Sequence, residues 1–221
     1  MRLRRKPWAR PELAECSFFV DDPILNRNRW QQEFGNNNPM HLELGCGKGR
    51  FIARLGSENP NVNYIAVDLK SEVLGLAKRK AERLYSVSEF APQDNLRLMS
   101  YDIERIDNMI GEQDKVERIY INFCNPWFKE RHAKHRLTHT RQLLKYKTFL
   151  SMDGEIWFKT DDLPLFEDTL LYVQEAGYTV RYCTYDLHNS NFTENVTTEH
   201  EDMFAEQGIA IKFLIAAPKG I

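Results

Sequence analysis

Three acidic residues follow short apolar runs in the first half of the chain, and their type and spacing suit the binding of a nucleoside. Glu43 precedes a glycine-rich loop, Asp68 ends the next apolar run, and Asp102 ends the one after it. The spacing between the loop and Asp68 is close to the roughly 20 residues that separate such a loop from an acid that binds ribose hydroxyls. Three carboxylates attract a ligand that carries positive charge and repel one that carries phosphate. A helix-capping role explains one such acid well but all three poorly.

The glycine loop itself reads Gly-x-Gly-x-Gly, with Gly45, Gly47 and Gly49 directly after an apolar run. Glycines at such a turn allow a tight bend and a close approach of the backbone to a ligand. A dinucleotide-binding loop would read Gly-x-Gly-x-x-Gly, and a phosphate-binding loop would have Ser or Thr after Lys48, so neither is predicted. S-adenosyl-L-methionine fits better, because it combines an amino group, a sulfonium, a ribose diol and an adenine without phosphate.

Residues 122–139 read NFCNPWFKERHAKHRLTH, an Asn-Pro-aromatic step followed by a run of basic side chains. The formal net charge of the chain is −2, so an anionic partner is expected at a defined face and not over the whole surface. Two basic clusters mark that face: Arg2, Arg4, Arg5, Lys6 and Arg10 in the first, and Lys129, Arg131, Lys134, Arg136, Arg141, Lys145 and Lys147 in the second. The histidines of the segment have no Cys or carboxylate cluster beside them, so no metal site is expected.

Short apolar runs alternate with helical patterns along the chain, and these elements must place the acids and the basic segment. Strands are predicted at 41–44, 63–69, 95–102, 118–124, 155–161, 178–187 and 208–217, and helices at 48–58, 71–86, 138–150, 162–176 and 199–206. This alternation of buried strands with helices predicts an α/β fold with a parallel, doubly wound sheet. Ligands bind at the carboxyl ends of the strands in such folds, which makes the strand-end residues the functional candidates.

The turn at residues 35–39, Gly-Asn-Asn-Asn-Pro, divides the chain into two parts. Residues 1–38 form a basic N-terminal arm packed on or leading into the domain, and residues 39–221 form a single domain. No apolar run approaches the roughly 20 residues of a membrane span, so no membrane association is expected. The N-terminus has basic residues without an apolar stretch behind them, unlike a secretory signal. The four cysteines are far apart, which favours a reducing, cytoplasmic setting without disulfides or zinc.

The stretch from Glu43 to Gly49, ELGCGKG, resembles motif I of class I S-adenosylmethionine-dependent methyltransferases. Together with MRLRRKPWA, YINFCNPWFKERHAKHRLTH, FKTDD, DLHNSN and TTEHE, it resembles the bacterial tRNA (guanine-N7-)-methyltransferases over nearly the whole chain. The resemblance implies a Rossmann-like, doubly wound, mostly parallel seven-stranded sheet with helices on both faces. It also implies methyl transfer from S-adenosyl-L-methionine to N7 of the variable-loop guanosine at tRNA position 46, with S-adenosyl-L-homocysteine as product. The implied partner is tRNA, without an obligate partner subunit, and monomer and homodimer both stay open.

The resemblance also assigns roles to individual residues. The cofactor-binding residues are Glu43, Gly45, Gly47, Asp68, Asp102 and Asn125, and the substrate-binding residues are Lys129, Arg131, His132, Arg136, Asp161, Thr198, Glu199, His200 and Glu201. The chain departs from the family pattern at three positions. Asn125 stands where the family commonly has Asp, Phe128 replaces a Pro, and Glu130 replaces a residue that is usually basic.

Asp161 and Asn125 are the predicted catalytic residues. The N7 atom of guanine is an unprotonated lone pair, so no base has to remove a proton, and proximity supplies most of the catalysis. We hypothesise that Asn125 preserves the geometry of the turn, while Asp161 stabilises the positive charge that reaches the purine. Thr198 and Glu201 are expected to read the flipped guanine, although Thr followed by Glu is also a common helix cap.

Two alternatives to this function stay open. Asn-Pro-Trp-Phe at residues 125–128 also resembles the Asn-Pro-Pro-Tyr-like motif of methyltransferases that act on exocyclic amines. The basic residues around it and the distal TTEHE fit the guanine-N7 family better. Asn125 in place of Asp also fits a non-catalytic tRNA-binding relative, although the acids at the strand ends and the glycines are intact.

Overall fold

The computed structural model describes residues 5–220, apart from the side chain of Gln93. Within this range one sheet contains eight strands: β1 (Phe19–Val20), β2 (Met40–Leu44), β3 (Asn63–Asp68), β4 (Leu96–Ser100), β5 (Val116–Asn122), β6 (Leu150–Thr160), β7 (Tyr178–Thr184) and β8 (Lys212–Pro218). Their order across the sheet is β1-β4-β3-β2-β5-β6-β8-β7. The neighbours from β1 to β6 run parallel, whereas β8 runs antiparallel to β6 and β7.

Helices cover both faces of this sheet. They are α1 (Ala9–Ala14), α2 (Trp30–Phe34), α3 (Arg50–Glu58), α4 (Ser71–Tyr85), α5 (Pro92–Asn95), α6 (Thr140–Phe149), α7 (Leu163–Glu175) and α8 (Glu199–Glu206), with short 3-10 helices at Pro23–Asn26, Ile103–Asn108 and Glu130–His135. On one face α2, α6 and α7 pack through Trp30, Phe149 and Phe166, and on the other α3 and α4 pack through Phe51 and Leu74. The predicted α/β, doubly wound and mostly parallel fold is therefore confirmed. Among the helices described, none has the length and apolar character needed to cross a membrane.

The strand count differs from the seven strands that the family resemblance implies. Phe19 and Val20 form an additional strand at the edge of the sheet, where they pair in parallel with Leu98 and Met99 of β4. Phe18, the preceding residue, is buried in the core that α3 and α4 cover. A strand of two residues is too short for its periodicity to be recognised in the sequence.

The described part of the N-terminal arm, residues 5–38, packs on the domain. Helix α1 lies against α4, where the guanidinium of Arg79 stacks on the ring of Trp8 at 3.6 Å from its centroid. Trp30 of α2 is fully buried in the core on the other face of the sheet. Two arginines of the predicted basic cluster, Arg2 and Arg4, lie outside the described residues.

Five neighbouring parallel strands, β4, β3, β2, β5 and β6, end at one edge of the sheet in the described chain. Polar residues within two positions of these ends include, in the same spatial order, Asp102, Asp68, Glu43, Asn122 and Asp161. Because parallel strands bring their carboxyl ends to a common edge, residues that are far apart in sequence become neighbours there. The fold thus gathers the predicted acids into one candidate site.

Candidate functional site

The glycine loop after β2 holds three glycines in left-handed backbone conformations, with φ of +81° at Gly45, +53° at Gly47 and +72° at Gly49. Gly49 is also required for packing, because a Cβ there would lie 2.5 Å from the Cβ of Ala77 in α4. A Cβ on Gly47, in contrast, would meet no atom of the described residues within 4 Å. The space beside Gly47 is therefore open to a ligand, while Gly49 lets α3 begin close to α4.

Glu43, at the end of β2, is buried just before this loop, with only 2 % of its surface exposed. Its Oε1 accepts a hydrogen bond from Nδ2 of Asn122 at 3.1 Å, whereas its Oε2 has no partner among residues 5–220. Burial raises the pKa of the Glu43 carboxyl to about 8, against the lowering effect of the hydrogen bond from Asn122. A buried acceptor without a donor costs about 1–3 kcal/mol, which a donor on a ligand would offset.

Asn122, the last residue of β5, is a candidate site residue that sequence reasoning missed. Its Oδ1 is buried and, like Oε2 of Glu43, has no hydrogen-bond partner in the part of the chain that the structure describes. The sequence carries a signal, since Asn122 ends a strand as the three acids do, but an amide lacks the charge that marks them. Two acceptors without donors, on hydrogen-bonded side chains, suit an amino group of a bound molecule.

Asp68 and Asp102, at the ends of β3 and β4, shape the neighbouring loops. Asp68 accepts from the backbone N–H of Gly47 through Oδ2 and from that of Lys70 through Oδ1, both at 3.0 Å. Asp102 is exposed and caps a 3-10 helix by accepting from the N–H of Glu104 at 3.0 Å. Asp68 therefore ties the glycine loop to β3, while Asp102 has the capping role that the sequence left open for one of the acids.

The turn at residues 123–128 has an uncommon backbone conformation. Phe123 and Trp127 have positive φ of +52° and +48°, which residues other than glycine rarely adopt. Asn125 is exposed, and its Oδ1 accepts from the backbone N–H of Trp127 at 3.0 Å. This contact supports a positioning role for Asn125, and backbone conformations of this kind concentrate at functional sites.

Phe123 connects this turn to α8, which carries the TTEHE motif. Its ring stacks on that of His200, with centroids 5.4 Å apart and planes inclined by 24°. Glu199, the neighbour of His200, forms ion pairs with Lys48 of the glycine loop and with Lys80 of α4. The glycine loop, the turn and α8 therefore meet at one edge of the sheet.

Thr198 and Glu201, the residues predicted to read a guanine, are directed into the protein. Thr198 caps α8 by accepting from the N–H of Glu201 at 3.1 Å, and Glu201 accepts from the N–H of Thr198 at 2.9 Å. Glu201 is fully buried and forms an ion pair with Lys159 at 3.0 Å. The helix-cap interpretation describes both residues, and the more exposed members of the motif are Glu199 and His200.

Arg136, predicted to bind substrate, is also engaged within the protein. It is 7 % exposed, pairs with Asp168 of α7 at 2.5 Å, and donates to the carbonyl of Pro126 at 2.7 Å. Tyr172 accepts a further hydrogen bond from the same guanidinium at 3.1 Å. Arg136 therefore ties the turn to α7, and its burial and internal partners leave it poorly placed for a phosphate.

The exposed part of the basic segment is smaller than the sequence suggests. Lys145 pairs with Asp107 at 2.9 Å, and Lys147 donates to the carbonyl of Gly177 at 3.2 Å. His132 is half-buried, with its ring 5.9 Å from that of Trp127. The exposed cations of the segment are Lys129, Arg131, Lys134, Arg141 and Lys147, and of these Lys147 is held by its contact with Gly177.

Asp161 and Asp162 follow β6 and have different environments. Asp162 caps α7 by accepting from the N–H of Leu165 at 2.7 Å. Asp161 is half-buried, its backbone carbonyl accepts from Lys212 at 3.0 Å, and no residue in the described range donates to its carboxylate. The carboxylate of Asp161 is therefore free, at the end of a central strand, to act on a bound group.

Residues 5–220 contain no group of three or more His, Cys, Asp or Glu side chains placed to hold a metal ion. His135 pairs instead with Glu104 at 2.5 Å, and Nδ1 of His139 accepts from the N–H of Arg141 at the start of α6. The histidines of the basic segment thus have separate structural contacts.

Comparison with known proteins establishes the family. A family model described as "Putative methyltransferase" matches residues 37–214. A tRNA (guanine-N(7)-)-methyltransferase of Ruminiclostridium cellulolyticum is 61 % identical over 219 residues, which cover 99 % of this chain and 93 % of the relative. The chain belongs to the tRNA (guanine-N(7)-)-methyltransferase family. A second family member, from Clostridium beijerinckii, is 59 % identical over 216 residues and 98 % of each chain.

Solved structures share the fold of this family member at much lower identity. A protein described as an antibiotic-related methyltransferase superposes with a TM-score of 0.63 and 15 % identity, over 93 % of this chain and 98 % of the other. A 16S rRNA methyltransferase gives a TM-score of 0.61 and 12 % identity, over 86 % and 93 % of the two chains. At such identities the likeness establishes the methyltransferase fold alone. The family that the sequence motifs indicated is confirmed by its relatives.

Proposed function

We propose that this chain transfers a methyl group from S-adenosyl-L-methionine to N7 of a guanine in tRNA, the variable-loop guanosine at position 46. The observation that carries the proposal is the stack of Phe123 on His200, which joins the turn after β5 to α8 beside the glycine loop. The motifs most specific to the family thus lie next to the residues predicted to bind the cofactor. Relatives that bear the name of this activity match almost the full length of the chain.

The residues around the glycine loop fit S-adenosyl-L-methionine. Oε2 of Glu43 and Oδ1 of Asn122 lack donors within residues 5–220, and an amino group supplies donors. The carboxylate of Asp68 keeps lone pairs for a ribose diol, and the space beside Gly47 is open. Asp102 and Asn125 complete the proposed set as exposed residues at the same edge. When bound, S-adenosyl-L-methionine supplies an electrophilic methyl group, and the product is S-adenosyl-L-homocysteine.

Asp161 has the catalytic role in this proposal. Because N7 of guanine carries a lone pair and no proton, no side chain has to act as a base. Positive charge develops on the purine as N7 is methylated, and a carboxylate that has no internal partner can stabilise that charge. Asp161 meets this requirement within the described chain, whereas Asn125 holds the turn through the N–H of Trp127.

The exposed cations of the basic segment hold the tRNA backbone. Lys129 and Arg131 lie next to the turn, and with Lys134 and Arg141 they replace the larger cluster expected from the sequence. Phosphate contacts of this kind position an RNA without reading its sequence. Trp127, which is 36 % exposed beside His132, is available to stack on an unstacked base.

An exocyclic-amine methyltransferase has less support. Such an enzyme uses the side-chain oxygen of its Asn-Pro-aromatic motif to accept a hydrogen bond from the target amine. Here Oδ1 of Asn125 accepts from the N–H of Trp127 at 3.0 Å, which leaves one lone pair for such an amine, but the relatives that match almost the full chain are named for transfer to guanine N7. The non-catalytic alternative is also weakened, because the unsatisfied oxygen of Glu43 and the free carboxylate of Asp161 are features that a decayed site would not need to retain.

Incubation of the protein with an unmodified tRNA transcript and methyl-labelled S-adenosyl-L-methionine tests the proposed function. We expect label in 7-methylguanosine at position 46, and none in a matched transcript with adenosine at that position. Label on an exocyclic amine would favour the alternative enzyme. Binding of tRNA without any label would indicate a non-catalytic relative.

A further inference from the structure

Lys159 is a buried lysine to which the proposed function assigns no role. It is the next-to-last residue of β6, opposite Asn122 of β5, and it is only 2 % exposed. Its ammonium lies between aromatic side chains, 5.5 Å from the ring centroid of Phe51 and 6.0 Å from that of Phe213. Burial lowers the pKa of Lys159, and the carboxylate of Glu201 opposes that effect. Lysines are almost never fully buried unless they are paired.

The ammonium of Lys159 has three acceptors, two in the segment that leads into α8 and one in the first turn of that helix. Nζ donates to Oε2 of Glu201 at 3.0 Å, to Oδ1 of Asn195 at 2.5 Å and to the carbonyl of Val196 at 2.9 Å. Three acceptors match the three protons of an ammonium group. These contacts fasten residues 195–201 to the carboxyl end of β6.

Glu201 completes this network from the helix. Its Oε1 accepts from Nδ2 of Asn195 at 3.0 Å and lies 3.4 Å from Nε2 of His188, while its Oε2 also accepts from the N–H of Thr198 at 2.9 Å. Both carboxylate oxygens therefore have donors inside the protein. A buried pair of this kind adds little net stability, but loss of one partner leaves a buried charge uncompensated.

We propose that Lys159 is a positioning residue for tRNA recognition, which holds residues 195–201 on the sheet so that α8 presents its outer face to the target base. In this arrangement Glu201 is the counter-charge of Lys159 and does not contact the guanine. The first turn of α8 carries His200, whose stack on Phe123 depends on where that turn lies. The inference rests on the proposed function, because it concerns the recognition of that substrate.

A double-mutant cycle of Lys159→Met, Glu201→Gln and the combined variant tests this inference. Each single variant leaves one buried charge without its partner. The combined variant is neutral, and its glutamine amide can still accept from Thr198 and donate toward Asn195. We expect Lys159→Met to raise KM for tRNA about tenfold or more, while Kd for S-adenosyl-L-homocysteine changes less than about threefold. The combined variant should exceed Lys159→Met in kcat/KM by about tenfold or more.

Different outcomes would overturn the inference. If Glu201 reads the guanine itself, the combined variant regains its unfolding midpoint but stays as inactive as Glu201→Gln. Equal losses of tRNA and S-adenosyl-L-homocysteine affinity in Lys159→Met would also contradict a role specific to tRNA. If Lys159→Met does not fold, the combined variant decides between the two outcomes. A kcat/KM of the combined variant within about tenfold of wild type supports the inference, and complete loss of its activity refutes it.

A matched control is available on α3, where Arg54 and Glu58 form an exposed pair at 2.9 Å. Arg54→Met combined with Glu58→Gln makes the same change of charge at the surface, away from α8. Because exposed pairs contribute little, we expect the kinetic constants of this control to stay within about twofold of wild type.

Hydrogen exchange separates failure of this inference from failure of the proposed function. We expect the amides of residues 195–204 to exchange faster in Lys159→Met and to regain protection in the combined variant, whether or not the protein methylates tRNA. If wild type yields no 7-methylguanosine, the proposed function fails, and the exchange result still decides whether Lys159 anchors the segment. Unchanged exchange in Lys159→Met would refute the anchor.

Discussion

Glu43 and Glu201 are both buried carboxylates, 2 % and 0 % exposed, yet their surroundings are opposite. Both oxygens of Glu201 have donors within the protein, including Lys159. Glu43 has a hydrogen bond from Asn122 and a second oxygen without a donor in residues 5–220. Because buried polar groups are nearly always hydrogen-bonded, the unsatisfied oxygen of Glu43 at the carboxyl edge of the sheet supports the proposal that a ligand binds there.

The same contrast divides two other pairs of residues. Asp162 caps α7, whereas the carboxylate of Asp161 has no partner in the described chain. Arg136 is buried against Asp168, whereas Arg131 is exposed. Residues whose polar groups already have partners inside the protein should therefore affect stability when they are replaced. Residues whose polar groups lack such partners should instead affect binding or catalysis.

The largest effect is expected from Asp161→Asn. In the proposed reaction Asp161 stabilises the positive charge on the methylated purine, so we expect its replacement to lower kcat about 100-fold or more with an unchanged unfolding midpoint. Single-turnover methylation at saturating tRNA and cofactor measures the effect. Asp162→Asn is the matched control, because it removes the same charge one position away while Asn still caps α7, and its kcat should stay within about threefold. Equal losses in the two variants would break the contrast.

The order of strands and helices could be predicted from the sequence because periodicity is a local property. The acids at the strand ends could be predicted as neighbours for the same reason, since parallel strands share an edge. The edge strand at Phe19–Val20 could not, because two residues carry no period.

The inward direction of Glu201 and Arg136 could not be predicted, because it depends on distant partners. Lys159 precedes Glu201 by 42 residues, and Asp168 follows Arg136 by 32. A motif shows which residue types occur together, but not whether each polar atom is already satisfied. Asn122 was missed for the related reason that its unsatisfied oxygen is visible only in the folded chain.

Glu43→Gln should give the next largest effect, and it should act on cofactor binding. A charged hydrogen bond to a ligand amino group contributes about 1.5–3 kcal/mol, so we expect Kd for S-adenosyl-L-homocysteine to rise roughly 10- to 100-fold in calorimetric titrations. At pH 8.5 the same variant should unfold at a higher temperature than wild type, because it removes a buried carboxylate whose charged form burial disfavours more than Asn122 and Lys159 stabilise it. Glu201→Gln should do the reverse, with a lower unfolding temperature. A loss of stability in both variants would show that the two carboxylates are equivalent.

The pH dependence of the unfolding free energy gives a smaller but more specific test of the Glu43 carboxyl. Glu43 has a pKa of about 8 in the folded protein against an ordinary value of 4.5, so between these values the folded protein holds a proton that the unfolded chain has lost. The unfolding free energy therefore falls as pH rises through this window, by at most about 1.4 kcal/mol per pH unit from this group, and the effect is complete above the folded pKa. Urea unfolding from pH 5 to 9 measures it. The difference in unfolding free energy between Glu43→Gln and wild type should increase toward pH 8 in favour of the variant. A difference that does not change with pH would contradict the raised pKa of Glu43.

The smallest effect concerns the salt dependence of tRNA binding. Lys129→Met combined with Arg131→Met removes two exposed cations, so the slope of log affinity against log salt concentration should become shallower by about 1.4–1.8, or 0.7–0.9 for each phosphate contact. Filter-binding or anisotropy titrations at several salt concentrations measure this slope. Arg136→Met is the comparison, because it removes the same charge from a buried position.

Arg136→Met should leave the salt slope unchanged and lower the unfolding midpoint, because the guanidinium of Arg136 binds Asp168 and the carbonyl of Pro126. To reach a phosphate, Arg136 would have to give up its contacts with Asp168, Tyr172 and the carbonyl of Pro126, and each group left behind would need water or RNA in its place. A shallower slope in Arg136→Met would therefore mean that tRNA binding rearranges the turn and releases this arginine. An unchanged salt slope together with a lower unfolding midpoint would show that Arg136 stabilises the fold and does not bind tRNA. The presence of hydrogen-bond partners inside the protein, more than charge or a place in a sequence motif, would then distinguish the structural residues of this site from those that bind its ligands.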